Sequence, residues 1–169
     1  MDKTESIAAL SEALVSELAQ ARKTVAAAES CTGGWIAKSL TDIAGSSACF
    51  AYGIMSYSNG AKESILGVSS DTLKQHGAVS EATVGEMANG VLNLSGADYA
   101  VAVSGVAGPD GGTEEKPVGT VWFAWASRAR NGSRVEARKH HFKGSRDEVR
   151  TQSVLIALQG IRERLRANG

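Results

Sequence analysis

The sequence predicts an α/β protein, a three-layer α/β/α sandwich with helices on both faces of a central mixed sheet. Short apolar runs alternate along the chain with segments in which apolar residues recur at helical spacing. Aromatic residues make up only 5% of the 169 residues, and alanine and glycine are frequent, which favours close packing of helices on a sheet. Several consecutive apolar runs near the end of the chain predict that the sheet is mixed.

The first part of the chain predicts helices and strands in alternation. Apolar residues at helical spacing predict a helix from about Thr4 to Ala21, and TVAAAE then predicts a buried strand that ends near Glu29. The next predicted elements are the helix WIAKSLTDIA with Gly45 as its stop, the strand CFAYGIMSYS and the helix NGAKESIL.

The second part predicts two more helices and three strands. They are the helix SEATVGEMANGVLNLSG, weakened by Gly85 and Gly90, the strand DYAVAVSG, a 13-residue loop GVAGPDGGTEEKP, and the strands VGTVWFAWAS and SRVEARKHHF. The last helix begins at Ser145 with a capping box to Glu148, and its core stripe is Val154, Leu158, Ile161 and Leu165. No repeat or linker divides the chain, so residues 1–169 are expected to form a single domain.

Composition favours a cytoplasmic protein without a membrane span. The N-terminus lacks a basic start followed by an apolar stretch, and no run approaches the ~18 apolar residues that a span needs. The two cysteines have no zinc or redox spacing. Net charge is zero, but the chain from Arg128 onward carries 11 basic and 4 acidic residues, a net of +7. This region suits a small anion or nucleic acid, or it is simply a solvated helix face.

Three polar segments follow predicted strands, at residues 29–34, 57–62 and 104–119. Open α/β sheets bind ligands at the carboxyl ends of their strands, so these segments are the candidate site. In the first, Ser30 precedes Thr32, Gly33 and Gly34 at a helix start, where backbone N–H groups can hold a phosphate or an oxyanion. Alternatively, Ser30 or Thr32 only caps the helix. Cys31 is a competing nucleophile or a small buried residue.

The second segment supplies a candidate base. Lys62 lies about three residues into a helix, where the helix dipole and partial burial would lower its pKa and let it accept a serine proton. Tyr57 could relay that proton or orient the lysine, and the alternative is an ordinary surface lysine. In the third segment, Ser104 and Gly105 begin a loop that either contacts a ligand or only connects two strands. Arg146, in the first turn of the last helix, either binds a phosphate or faces solvent.

The histidines do not predict a catalytic triad. His76 precedes a turn glycine and is expected to be exposed, and His140 and His141 are strand neighbours that face opposite sides. The loop acids Asp110, Glu114 and Glu115 have no histidine nearby in the sequence, so no metal site is predicted.

Long segments of the chain closely resemble the C-terminal domain family of CinA, from about Ala9 to Leu165. The segments are AESCTGGWIAKSLTDIAGSSACF, YSNGAKESILGV, HGAVSEATVGEMA, AVSGVAGPDGGTEEKPVGTVWFA and FKGSRDEVR. Because no molybdopterin-binding-like domain precedes them, the chain is expected to be the stand-alone form. The resemblance implies an α/β/α fold, a homodimer and no cofactor.

The resemblance also implies hydrolysis of nicotinamide mononucleotide to nicotinic acid mononucleotide and ammonia. It implies Ser30 as the nucleophile and Lys62 as the base, with Tyr57 assisting, and N–H groups around residues 31–34 holding the oxyanion or the phosphate. Many relatives have threonine where Ser104 stands, which retains a hydroxyl. Two alternatives remain open, a non-catalytic nucleotide-binding module and a nucleic-acid-associated competence or damage factor. Phe142 is the only aromatic residue past Arg128, which counts against the second.

Overall fold

The computed structural model describes residues 6–168, which contain six α-helices and five strands. The helices are α1 (Ile7–Ala21), α2 (Trp35–Thr41), α3 (Asn59–Leu66), α4 (Ser70–His76), α5 (Glu81–Ser95) and α6 (Arg146–Ala167). The strands are β1 (Val25–Glu29), β2 (Phe50–Met55), β3 (Tyr99–Gly105), β4 (Thr120–Ala129) and β5 (Gly132–His141). A 3₁₀ turn, Ser46–Ala48, precedes β2.

The strands form one mixed sheet in the order β2-β1-β3-β4-β5. Strand β1 is parallel to both β2 and β3, whereas β3, β4 and β5 follow one another antiparallel. One face of the sheet packs on α1, α2 and α6, and the other packs on α3, α4 and α5. The predicted α/β/α architecture and the mixed sheet are therefore confirmed.

Strand alternation gives the two faces of the sheet different side chains. The face toward α5 is lined by alanines at positions 26, 28, 100, 102, 124 and 126. The opposite face carries larger residues, among them Val101, Phe123 and Trp125. Because alanine has no side chain beyond Cβ, α5 can lie close to the sheet, which explains how a chain poor in aromatic residues fills its core.

Several predicted boundaries need correction. Thr4 lies outside the described residues; the described helix begins at Ile7 after the N-cap Ser6. Gly45 does not stop α2, which ends at Thr41; instead Gly45, with φ +87°, precedes the 3₁₀ turn. Helix α4 was not predicted, because in seven residues it buries only Leu73 and shows no periodicity. None of the described helices has the length and apolar character needed to cross a membrane.

Candidate active site

Seven of the ten predicted site residues line one cavity of about 180 Å³. They are Ser30, Cys31, Tyr57, Lys62, Ser104, Gly105 and Arg146. The cavity lies where β1 and β3 end and where the segment after β2 enters α3, as expected for the carboxyl edge of parallel strands. Ala78, Val79 and Ala107 complete its wall and were not predicted, since small apolar loop residues carry no chemical signal.

Ser30 and Lys62 are in direct contact at the bottom of this cavity. The Ser30 Oγ lies 2.9 Å from the Lys62 Nζ, and the two side chains are 7% and 1% exposed. Ser30 is presented by the turn that connects β1 to α2, and Lys62 lies in α3, whose N-cap is Ser58. The lysine is therefore a buried residue and not the surface lysine that the sequence left possible.

The surroundings of Lys62 favour its neutral form. Burial lowers the pKa of its ammonium group, and among the described residues no carboxylate forms an ion pair with it. Its other two contacts are the carbonyl oxygens of Ser56 at 2.8 Å and Tyr57 at 3.1 Å. A neutral amine can donate one N–H to each carbonyl and direct its lone pair at the Ser30 hydroxyl.

Tyr57 contacts the lysine through its backbone, while its side chain lies at the cavity mouth. Tyr57 is 63% exposed, and its hydroxyl lies 3.5 Å from Nη2 of Arg146. The same arginine donates through Nη1 to the carbonyl of Gly108 at 2.7 Å. Tyr57 therefore orients Lys62 by a carbonyl, and its hydroxyl and Arg146 face the solvent side of the cavity together.

The Cys31 thiol is poorly suited to be the nucleophile. Cys31 is buried, and burial raises the pKa of its thiol to about 12. Since the thiolate is the reactive form, little of it exists near neutral pH. Between the two neighbours, the geometry favours Ser30.

The end of β3 forms one wall of the cavity with Ser104 and Gly105. Ser104 is 1% exposed, and its hydroxyl makes no hydrogen bond to any residue in 6–168, so it remains able to bond a ligand. A Cβ atom on Gly105 would lie 2.7 Å from Val121 Cγ2 and 2.9 Å from the Thr120 carbonyl oxygen. Gly105 therefore permits the close approach of β4 at this end of the sheet.

Thr32, Gly33 and Gly34 do not line the Ser30 cavity. They line a neighbouring groove with Trp35, Lys38 and Arg150. Thr32 donates its hydroxyl to the Glu29 carboxylate at 2.6 Å. A role for these three residues in substrate binding remains a prediction.

Glu29 already occupies the start of α2, where the sequence suggested an anion site. Its carboxylate accepts the N–H groups of Ile36 at 2.8 Å and Ala37 at 3.0 Å. The helix N-terminus is therefore filled by an internal anion. In the sequence Glu29 marks only the end of a strand, although an acid shortly before a helix start can indicate such a cap.

The histidines lie outside the cavity lining. His76 is exposed, as predicted, at the end of α4, and its carbonyl accepts from Lys116 Nζ at 2.6 Å. His140 packs on Phe123, while His141 Nε2 lies 3.1 Å from the Val118 carbonyl. Within residues 6–168, no group of three or more histidine, cysteine, aspartate or glutamate side chains could hold a metal ion.

Comparison with known proteins identifies close relatives of the chain. It is 57% identical over 150 residues to the nicotinamide-nucleotide amidohydrolase PncC of Escherichia coli (strain K12), and the match covers 89% of each chain. It is 48% identical over 158 residues to a CinA-like protein of Chlorobaculum tepidum, a match that covers 93% of this chain but 37% of that protein.

The fold and the family agree with these matches. The crystal structure of competence damage-inducible protein A from Klebsiella pneumoniae superposes with a TM-score of 0.89 at 40% identity, covering 95% of this chain and 97% of that one. The sequence model of the protein family described as the CinA C-terminal domain matches residues 7–165 of this chain. The chain therefore belongs to the CinA C-terminal domain family.

Proposed function

We propose that the chain is a nicotinamide-nucleotide amidohydrolase that converts nicotinamide mononucleotide and water to nicotinic acid mononucleotide and ammonia. The observation that carries this proposal is the buried contact of 2.9 Å between Ser30 Oγ and Lys62 Nζ. A serine beside a desolvated lysine is a known arrangement for nucleophilic attack on an acyl carbon. The activity in the name of the Escherichia coli relative supports this choice of amide.

The proposed mechanism is acyl transfer through Ser30. Neutral Lys62 takes the hydroxyl proton while Ser30 Oγ attacks the carboxamide carbon and forms a tetrahedral intermediate. The C–N bond then breaks, and Lys62 returns the proton to the departing ammonia. A water molecule, deprotonated by Lys62, attacks the acyl-enzyme, and Ser30 leaves with the proton that Lys62 gives back.

Residues 30–34, which connect β1 to α2, form what we call the nucleophile turn. Backbone N–H groups of this turn would stabilise the oxyanion. Gly33 donates its N–H to the Ser30 carbonyl at 3.1 Å and is not available. The N–H groups of Cys31 and Thr32 make no hydrogen bond to another described residue. Since Cys31 also lines the cavity, its N–H is the first donor that we assign to the oxyanion.

The size of the cavity indicates how the nucleotide would lie. A volume of about 180 Å³ is below the ~300 Å³ of a typical small-molecule site, so it would hold the nicotinamide end of the substrate. The phosphate would then lie toward the mouth, where Arg146 is exposed and has no carboxylate partner among the described residues. Ser104, at the wall, would bond a polar group of the substrate.

Ammonia release from nicotinamide mononucleotide tests the proposal. We expect turnover by the wild type, no measurable turnover by Ser30→Ala, and a loss of about 10²-fold or more in Lys62→Met. Lys74→Met, which removes an exposed lysine from α4, is the matched control and should keep full activity.

Two outcomes would count against this assignment. An inactive wild type would contradict the amidohydrolase activity itself. Because Ser30→Ala still carries Cys31, activity in that variant would move the nucleophile to the thiol. Circular dichroism of each variant checks that the fold is retained. The cytoplasmic location and the homodimer remain predictions.

A further inference from the structure

The turn that carries Ser30 is held from α6 by Arg150. The guanidinium donates through Nε to the Cys31 carbonyl at 3.1 Å and through Nη2 to the Thr32 carbonyl at 3.2 Å. It also lies over the Trp35 ring, 5.7 Å from the ring centroid. The first two contacts bridge 119 and 118 residues of chain, so the last helix is tied directly to the nucleophile turn.

The turn is shaped to admit this arginine. A Cβ atom on Gly33 would lie 2.8 Å from Nη2 of Arg150, and Gly33 has φ +64°, a conformation that side chains disfavour. Within residues 6–168, Arg150 forms no ion pair with a carboxylate. Its charge is therefore compensated by the two carbonyl dipoles of the turn and by the Trp35 ring.

Glu29 holds the same turn from the opposite end. Its carboxylate is buried and accepts from the Thr32 hydroxyl and from the N–H groups of Ile36 and Ala37 in α2. Its carbonyl accepts from the Ser56 N–H at 2.8 Å. The nucleophile turn thus lies between an internal carboxylate and the guanidinium of Arg150. Neither group lines the Ser30 cavity.

We infer that Arg150 is a positioning residue, which holds the turn after β1 and so sets the geometry of Ser30 without touching the substrate. Holding the Cys31 and Thr32 carbonyls fixes the two peptides that follow Ser30, and so limits movement of Ser30 Oγ away from Lys62. This inference rests on the proposed function for the substrate and for Ser30 as the nucleophile.

Activity measurements on Arg150 variants provide the first test. A displacement of the reacting groups by ~1 Å can cost about 10²-fold in rate, so we expect kcat of Arg150→Met to fall by about 10- to 100-fold. KM should stay within a factor of about two, because Arg150 lies outside the cavity. Arg150→Ala should recover part of its kcat when guanidinium is added at concentrations that do not unfold the protein, since the free cation can occupy the vacated place.

A matched control separates positioning from stability. Arg164 lies on the same helix, is 9% exposed, donates to the Gly160 carbonyl at 2.9 Å and stacks on Trp125 at 4.4 Å. Arg164→Met should lower the Tm but keep the kcat of the folded enzyme. If Arg150→Met behaves in the same way, Arg150 is a structural residue and the inference fails.

Covalent labelling makes the test independent of nicotinamide mononucleotide. A small sulfonyl fluoride that reacts with activated serines should modify Ser30 in the wild type and several-fold more slowly in Arg150→Met, as measured by mass spectrometry of the intact protein. Slower labelling together with an inactive wild type would support the inference while contradicting the proposed substrate. Equal labelling rates in the two proteins would overturn the inference.

Discussion

At the residue scale, the reactivity proposed for the site depends on what surrounds Lys62. A lysine in water is a cation near neutral pH and cannot accept a proton. Here the amine is almost fully buried, lacks a carboxylate partner among the described residues and has two carbonyl oxygens for its N–H groups. Glu63, the next residue in the sequence, is exposed to solvent, and the Glu29 carboxylate is directed to the N-terminus of α2. Lys62 can therefore be neutral and act as a base.

The lowered pKa of Lys62 predicts a pH dependence of activity. Only the neutral amine accepts a proton, so kcat/KM should be lost as pH falls through the pKa of Lys62 and should reach a plateau above it. The midpoint should lie below the ordinary lysine value, because burial disfavours the charged form. A pH profile of kcat/KM with nicotinamide mononucleotide measures this midpoint. A kcat/KM that does not fall with decreasing pH anywhere between the alkaline range and the onset of acid unfolding would contradict the assignment of the base.

The same shift has a consequence for stability, with a definite sign. Between the lowered pKa and the ordinary value, the unfolded chain binds a proton at Lys62 that the folded chain does not. The free energy of unfolding should therefore rise with pH across that window as far as this group contributes. The difference in slope between the wild type and Lys62→Met isolates this contribution.

At the element scale, the position of Lys62 depends on how α3 rests on α5. Gly90 of α5 lies so close to the end of α3 that a Cβ atom there would be 2.0 Å from the Leu66 carbonyl oxygen. The sequence suggested that Gly90 and Gly85 weaken α5, which is true of their helix propensity. The structure shows that Gly90 has a packing function that Gly85 lacks, since the nearest atom to a Cβ at Gly85 is Val135 Cγ1 at 4.0 Å.

These two glycines give a paired prediction. Gly90→Ala should lower the free energy of unfolding by about 1–3 kcal/mol through overpacking. It should also reduce kcat, because α3 carries Lys62. Gly85→Ala should be neutral or stabilise the protein by up to about 1 kcal/mol and leave kcat unchanged. Urea unfolding of the three proteins compares them, and equal effects of the two substitutions would refute the role of the α3–α5 contact.

At the scale of the whole molecule, the two edges of the sheet differ in charge. Strand β5 carries the charged side chains Arg134, Glu136, Arg138 and Lys139. Strand β2 has none and exposes Tyr52 and Met55 by 40% and 39%. Charged residues on an edge strand oppose pairing with a strand of another chain. Strand β5 is protected in this way, and β2 is not.

The homodimer expected from the family resemblance is therefore predicted to use β2. Light scattering after size exclusion should give twice the mass of the chain, and Tyr52→Lys should shift the mass toward the monomer. Ser133→Lys, which adds the same charge to β5, is the control and should leave the mass unchanged. A monomeric wild type would contradict the dimer, whereas a dimer that survives Tyr52→Lys would place the interface elsewhere.

The five arginines of α6 account for part of the basic surplus from Arg128 onward. Arg162 and Arg166 both bond Glu17 of α1 at 2.8 Å, and Arg164 pairs with Glu136 of β5. These arginines tie α6 to its neighbours. Arg146 and Arg150, near the start of the same helix, lie instead beside the nucleophile turn and the cavity. The charge count in the sequence combined these two groups, and only the structure separates them.

The sequence by itself determined the fold class, most elements and the site edge, because periodicity and strand-end position are local properties of a chain. It identified Ser30 and Lys62 as candidate site residues but could not predict that they are in contact. That contact spans 32 residues of chain and depends on how β1 and α3 pack. Tertiary structure decided the burial of Lys62, the filling of the α2 N-terminus by Glu29 and the reach of Arg150 to the Ser30 turn. Burial and hydrogen bonding between distant residues arise only when the layers assemble, so no local pattern encodes them.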